Sequence, residues 1–119
     1  MNKIVIVEDE RIIASDLQLT LESWGFPDTI ILSSAEELLQ NLDKINPDLI
    51  LMDIMLKGKM NGIEAISIIN KKKYIPVIYI TAYANKATIE KASETNPLGY
   101  LIKPFEEFQL KEIIKSVFK

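Results

Sequence analysis

The chain contains no cysteine and no histidine. Without cysteine there are no disulfides and no thiolate metal sites, a usage that fits a reducing cytosol. Without histidine there is no Ser-His-Asp catalysis, none of the usual zinc ligand sets and no phosphohistidine carrier role. Basic charge is also short: 14 Lys and Arg stand against 17 Asp and Glu, a net charge of −3, which argues against a nucleic-acid partner. The one basic run, Lys71-Lys72-Lys73, falls where a helix should end and is explained by the helix dipole. No apolar stretch is long enough to cross a bilayer. The N-terminus passes from Met-Asn-Lys straight into a short apolar run, without the longer segment and small-residue cleavage site of a signal peptide. The expectation is a cytoplasmic protein with no membrane partner. Gly/Ser linkers, low-complexity tracts and repeats are absent as well. The 119 residues, 48% of them hydrophobic, therefore predict one domain, 1–119, around one real core.

What is present is a regular alternation. Apolar runs at 3–7, 29–33, 49–53, 77–81 and 99–102 are rich in Ile, Val or Leu and bounded by turn residues. IVIV, LILMD and VIYIT are apolar on both faces, as buried parallel strands should be. Helical patterns lie between them. The first covers about 10–24, with Ile13, Leu17, Leu21 and Trp24 on one face and Gly25 as its stop. The second begins at Ser34, whose spacing to Glu37 predicts a capping box. The third covers 61–72 with Ile63, Ile66 and Ile69 inward. The fourth, 85–94, has only Ala87, Ile89 and Ala92 to bury. The fifth, 105–118, offers Phe108, Leu110, Ile113, Ile114 and Val117. Five βα units predict a doubly wound α/β domain with helices on both sheet faces. Ligands in such folds bind beyond the carboxyl ends of the strands.

Those ends carry chemistry. Glu8-Asp9-Glu10 follows the first strand, Asp53 the third, Thr81-Ala82 the fourth and Lys103-Pro104 the fifth. Glu8, Asp9 and Asp53 crowd negative charge into one place, which calls for Lys103 and a hard cation. An all-oxygen acidic site without His or Cys suits Mg²⁺. A carboxylate beside Mg²⁺ and an ammonium is a competent nucleophile toward phosphorus, giving an aspartyl phosphate. The Thr81 hydroxyl and the Ala82 backbone N–H are of the right kind to hold the phosphoryl oxygens. Glu8 and Asp9 are also expected to cap the first helix.

With these residues in place, the chain resembles a response-regulator receiver domain from Val5 to the end of the last helix. The resemblance rests on Glu8-Asp9, Asp53, Thr81-Ala82 and Lys103-Pro104-Phe105 together. It implies a flavodoxin-like sheet of strand order 2-1-3-4-5. It implies Asp53 as phosphoacceptor, with Asp9 and Asp53 as direct Mg²⁺ ligands, Glu8 acting through water and the Met55 backbone carbonyl completing the protein ligands. Lys103 would bind a phosphoryl oxygen, the Lys103–Pro104 bond would be cis, and Thr81 and Tyr100 would form the pair that reorients on phosphorylation. The implied partners are a histidine kinase or histidine phosphotransfer protein as donor and an output domain or target protein downstream. That target is expected to meet the surface of the fourth helix, fifth strand and fifth helix, where Lys86, Ile89, Lys91, Tyr100 and Phe108 are candidates. Homodimerisation on phosphorylation is within the family's range. Three positions depart from the common pattern: Leu56 stands where many receivers have proline, the loop before Gly62 is one residue longer, and the first acid is Glu8 rather than Asp.

Rival functions fare worse. A nucleotide-binding module would place glycines after the first strand, where this chain has three acids. An aspartate-nucleophile phosphohydrolase needs a second acid at position 55, which is methionine, so no turnover enzyme is expected. Met55 and Tyr83 also offer no group to position a hydrolytic water, which predicts slow self-dephosphorylation. The alternative that survives is a pseudo-receiver, an unphosphorylated, constitutive protein-interaction module.

Overall fold

A computed structural model describes residues 2–118. The elements alternate in the order β1 (Ile4–Val7), α1 (Arg11–Ser23), β2 (Thr29–Leu32), α2 (Ala35–Ile45), β3 (Leu49–Met52), α3 (Gly62–Asn70), β4 (Val77–Thr81), α4 (Lys86–Ser93), β5 (Gly99–Ile102) and α5 (Glu107–Val117). The strands form one parallel sheet of order β2-β1-β3-β4-β5. The strand order and element sequence agree with the expectations above. The differences in bounds are residues at element ends, where caps replace helix: Glu10 and Trp24 flank α1, and Asn85 and Glu94 flank α4.

Strand alternation divides the core in two. Val5, Val7, Ile50, Met52, Val77 and Tyr79 point to the face covered by Leu38 and Leu42 of α2, Ile63, Ile66 and Ile69 of α3, and Ala92 of α4. Ile4, Ile6, Leu49, Leu51, Ile78 and Ile80 point to the other, covered by Ala14 and Leu21 of α1 and Leu110 and Ile114 of α5. β1, β3 and β4 are buried along their whole length, which is why their sequences show no polar alternation. Each large aliphatic so buried contributes about 1.5–3 kcal/mol.

Three local expectations need correction. Phe108 is 60% exposed, outside the buried stripe of α5 though in keeping with its place among the surface candidates: Leu110 and Ile114 set the buried face, and a residue two positions from Leu110 lies roughly 200° around the helix. The Ser34 side chain accepts the Glu37 N–H, but Glu37 turns to the Ser33 N–H and hydroxyl instead of closing the box. A full capping box stands at α3, where Asn61 and Glu64 exchange both bonds. Glu8 and Asp9 do not cap α1, which starts at Glu10 with no side-chain cap bond.

Candidate functional site

Sheet register assembles the site. Val7 pairs with Met52, so the next residues, Glu8 and Asp53, emerge side by side from the adjacent strands β1 and β3. Both stay in the ladder: the Glu8 N–H donates to the Leu32 carbonyl and the Asp53 N–H to the Val7 carbonyl. Thr81 pairs with Ile102, and the Lys103 N–H donates to the Thr81 carbonyl at 2.9 Å. Lys103 follows β5 by one residue, as Glu8 and Asp53 follow their strands. Its Nζ lies 3.1 Å from Asp53 Oδ2 and 3.4 Å from both Glu8 carboxylate oxygens. The Lys103–Pro104 bond is cis.

These three side chains are electrostatically unbalanced. Glu8 and Asp53 are buried, 5% and 8% exposed, and share one ammonium. Burial, then the hydrogen bond to Asp53 and its charge, push the Glu8 carboxyl up to about 8, against the pull of Lys103. Burial pulls Lys103 down, but the charges of Asp53 and Glu8 outweigh it and hold the ammonium above its ordinary value. A buried carboxyl held this far up marks a place short of positive charge. Glu8, Asp9 and Glu10 each bring a carboxylate oxygen within 4.8 Å of one another. An all-oxygen set with excess negative charge fits Mg²⁺ better than any softer metal. Glu10 was not assigned a role in the sequence, although it completes the acidic run there.

Asp9 faces the connection after β3, its Oδ2 accepting the Lys57 N–H at 3.2 Å. Asp53 Oδ1 accepts the Met55 N–H at 3.3 Å. The longer loop is well anchored: Leu56 and Met60 are partly buried against the core on the α2–α3 side. Gly62 cannot be larger, since a Cβ there would lie 2.3 Å from the Asp53 carbonyl oxygen.

Thr81 and Tyr100 belong to a separate cluster. Alternation puts the Thr81 side chain on the Tyr79 side of the sheet. It is fully buried, and its hydroxyl accepts the Tyr83 N–H at 3.3 Å. The Tyr100 hydroxyl donates to the Tyr83 carbonyl at 2.8 Å. Among the described residues no hydrogen bond joins Thr81 to Asp53; instead, the Tyr83 backbone links Thr81 to Tyr100. Burial and then the charge of Asp53 raise the Tyr100 phenol, so Tyr100 feels the acidic site without touching it. Ala82 is exposed beside Thr81.

Comparison with known proteins agrees with this fold. The family model described as "Response regulator receiver domain" matches residues 4–115. The DNA-binding response regulator MtrA of Mycolicibacterium paratuberculosis is 30% identical over 115 residues, 97% of this chain and 49% of that protein. The transcriptional regulatory protein PdtaR of Mycobacterium tuberculosis is 30% identical over 103 residues, 87% of this chain and 50% of that protein. The chain thus spans about half the length of these curated relatives. Among solved structures, the signal receiver domain of a modulated diguanylate cyclase from Desulfovibrio desulfuricans superposes with a TM-score of 0.87 at 33% identity, covering 97% of this chain and 91% of that one. The BeF3-activated receiver domain of Klebsiella pneumoniae RstA shares the fold, with a TM-score of 0.90 at 22% identity over 99% of this chain and 100% of that one. The chain belongs to the response regulator receiver domain family of two-component signalling.

Proposed function

We propose that the chain is a phosphoacceptor switch in which Asp53 takes a phosphoryl group from a histidine kinase or histidine phosphotransfer protein. The observation that carries this reading is the Lys103 ammonium, 3.1 Å from Asp53 and 3.4 Å from Glu8 at the carboxyl ends of three strands. An Asp53 oxygen attacks phosphorus in line, a P–O bond forms, and the P–N bond to the donor imidazole breaks with its electron pair returning to nitrogen. Lys103 begins paired to Asp53 and ends on a phosphoryl oxygen, following the negative charge. The Thr81 hydroxyl and the Ala82 N–H hold the other oxygens. Mg²⁺, held by Asp9, Asp53, the Met55 carbonyl and, through water, Glu8, would supply Lewis-acid neutralisation of the transferring group.

This chain is a switch and not a turnover enzyme: Met55 and Tyr83 offer no carboxylate or amide to aim a water, so the aspartyl phosphate is long-lived. Phosphorylation changes the affinity of the α4–β5–α5 surface for an output domain or target. The test is intact mass after incubation with acetyl phosphate and Mg²⁺. One phosphoryl group should be gained, the gain should require Mg²⁺, and Asp53→Asn should abolish it. Folded wild-type protein that gains nothing would instead be a constitutive interaction module.

A further inference from the structure

Besides the apolar anchoring of Ile54, Leu56 and Met60 and the Gly62 N–H bond to the Ile54 carbonyl, the connection from Asp53 to α3 is fastened by a series of backbone N–H groups donating to carboxylates. Met55 donates to Asp53, Lys57 to Asp9 and Asn61 to Glu64. The Lys59 and Met60 N–H groups both donate to Glu36 Oε2, each at 3.1 Å. Glu36 differs from Asp53 and Asp9 in its origin: it stands in the first turn of α2, an element with no side chain at the Asp53 site.

We propose that Glu36 is a positioning residue for the cation site, fixing the β3–α3 connection so that the Met55 carbonyl and the Asp9 carboxylate are presented together. The inference rests on the function proposed above. Two observations single out Glu36. Its second oxygen, Oε1, is buried with no hydrogen-bond partner among the described residues, a loss of hydration that costs free energy. The retained geometry is the one in which Oε2 takes two consecutive N–H groups. Gly58 is shaped to this contact: its φ is +108°, and a Cβ there would lie 2.8 Å from Glu36 Oε1. The chain therefore reverses at Gly58 directly against the carboxylate.

The mechanical consequence falls on the segment between Asp53 and Gly58. Its far end is pinned on Glu36, and its middle is pinned by the Lys57 N–H on Asp9 Oδ2. Releasing the Glu36 end frees Lys57, and with it the bond that orients Asp9 and the path of the chain through Met55. Groups that orient ligands in this way typically account for 10–100-fold in metal affinity.

The experiment is a titration of ¹⁵N-labelled full chain with MgCl₂, reading Kd from amide shifts, with thermal midpoints alongside. Glu36→Ala should raise Kd about tenfold and remove the exchange protection of the Lys59 and Met60 amides. Glu36→Gln, whose amide oxygen still accepts both bonds, should restore Kd to near the wild-type value. A merely structural role would lower the midpoint of Glu36→Ala and leave Kd in the folded protein unchanged, and that result overturns the proposal. Where Glu36→Ala does not fold, Glu36→Asp decides, because one methylene less withdraws the carboxylate from the Lys59 and Met60 N–H groups while keeping its charge: a raised Kd supports the clamp and a wild-type Kd overturns it. Wild-type protein that takes neither Mg²⁺ nor a phosphoryl group would sink the proposed function, and the clamp with it; competent wild type with an equally competent Glu36→Ala sinks the clamp alone.

Discussion

Glu8 is the residue whose titration matters most. Its carboxyl stands at about 8 in the folded chain against an ordinary 4.5. Between those values the folded state keeps a proton that the unfolded state has lost. Stability from this group is therefore full below pH 4.5, declines as pH rises, and is gone above about 8. The chain has no histidine or cysteine, the side chains that otherwise titrate near neutrality, so the slope should be visible in thermal midpoints taken without metal from pH 5 to 8. Glu8→Gln should flatten it; a variant with the wild-type slope would refute the assignment. Binding of Mg²⁺ needs the ionised carboxylate, so calorimetry in buffers of different ionisation enthalpy should show proton release near pH 7, absent in Glu8→Gln. At this scale, Glu8, Asp53 and Lys103 were legible in the sequence because each directly follows a strand, and parallel register carries strand ends to one rim. Glu36 was not legible, since its role depends on a loop path set by Gly58. Phe108 stood both in the apolar set of its helix and among the surface candidates, because an apolar residue in a helix does not declare which side of the stripe it occupies; its exposure decides for the surface.

Among the helices, α4 buries the fewest of the described residues. Its buried residue is Ala92, and its N-terminus depends on the Asn85 side chain accepting the Thr88 N–H. Its C-terminal end is fastened differently. The Thr95 hydroxyl donates to the Ala92 carbonyl, and the buried Tyr79 hydroxyl meets Thr95 Oγ1 at 2.8 Å. Thr95 has one hydroxyl hydrogen, already directed at Ala92, so Tyr79 is the donor in the second bond. The Asn70 side chain adds a bond to the Thr95 carbonyl. Tyr79→Phe keeps the ring and deletes this anchor, at a cost of about 1 kcal/mol. Hydrogen exchange should quicken across α4 while the amides of β4 keep their protection. Equal quickening in both elements would mean that the bond supports the sheet as a whole rather than the end of α4. The weakness of this helix was readable from its few apolar residues; its anchor was not, because a tyrosine within a fully apolar strand looks like ordinary core.

For the whole molecule, five apolar runs and the helical patterns between them specified the layers, since strands buried on both faces require helices on both. The finer strand order came with the family resemblance, because alternation alone does not say which neighbours pair. What no pattern in the sequence displays is the connection between the two halves of the site. Asp53, Glu8 and Lys103 open toward the α1–α5 face, while Thr81, Tyr83 and Tyr100 are joined beside α4. For phosphorylation to reach α4 by this route, the Thr81 hydroxyl leaves the Tyr83 N–H for a phosphoryl oxygen, loosening the backbone at Tyr83, the residue whose carbonyl holds Tyr100. Such a signal is a population shift, limited by how differently the phosphoryl group interacts with the two arrangements. Thr81→Ala removes that difference and leaves Asp53 and Lys103 in place. The variant should still gain one phosphoryl group by mass, but amide shifts of α4 and β5 that move in the wild type should stay at their unphosphorylated positions. Unpairing the Tyr83 N–H should cost it about 1 kcal/mol of stability, little enough to keep it folded. If α4 and β5 respond in Thr81→Ala as in the wild type, the signal reaches them by a route that bypasses Thr81.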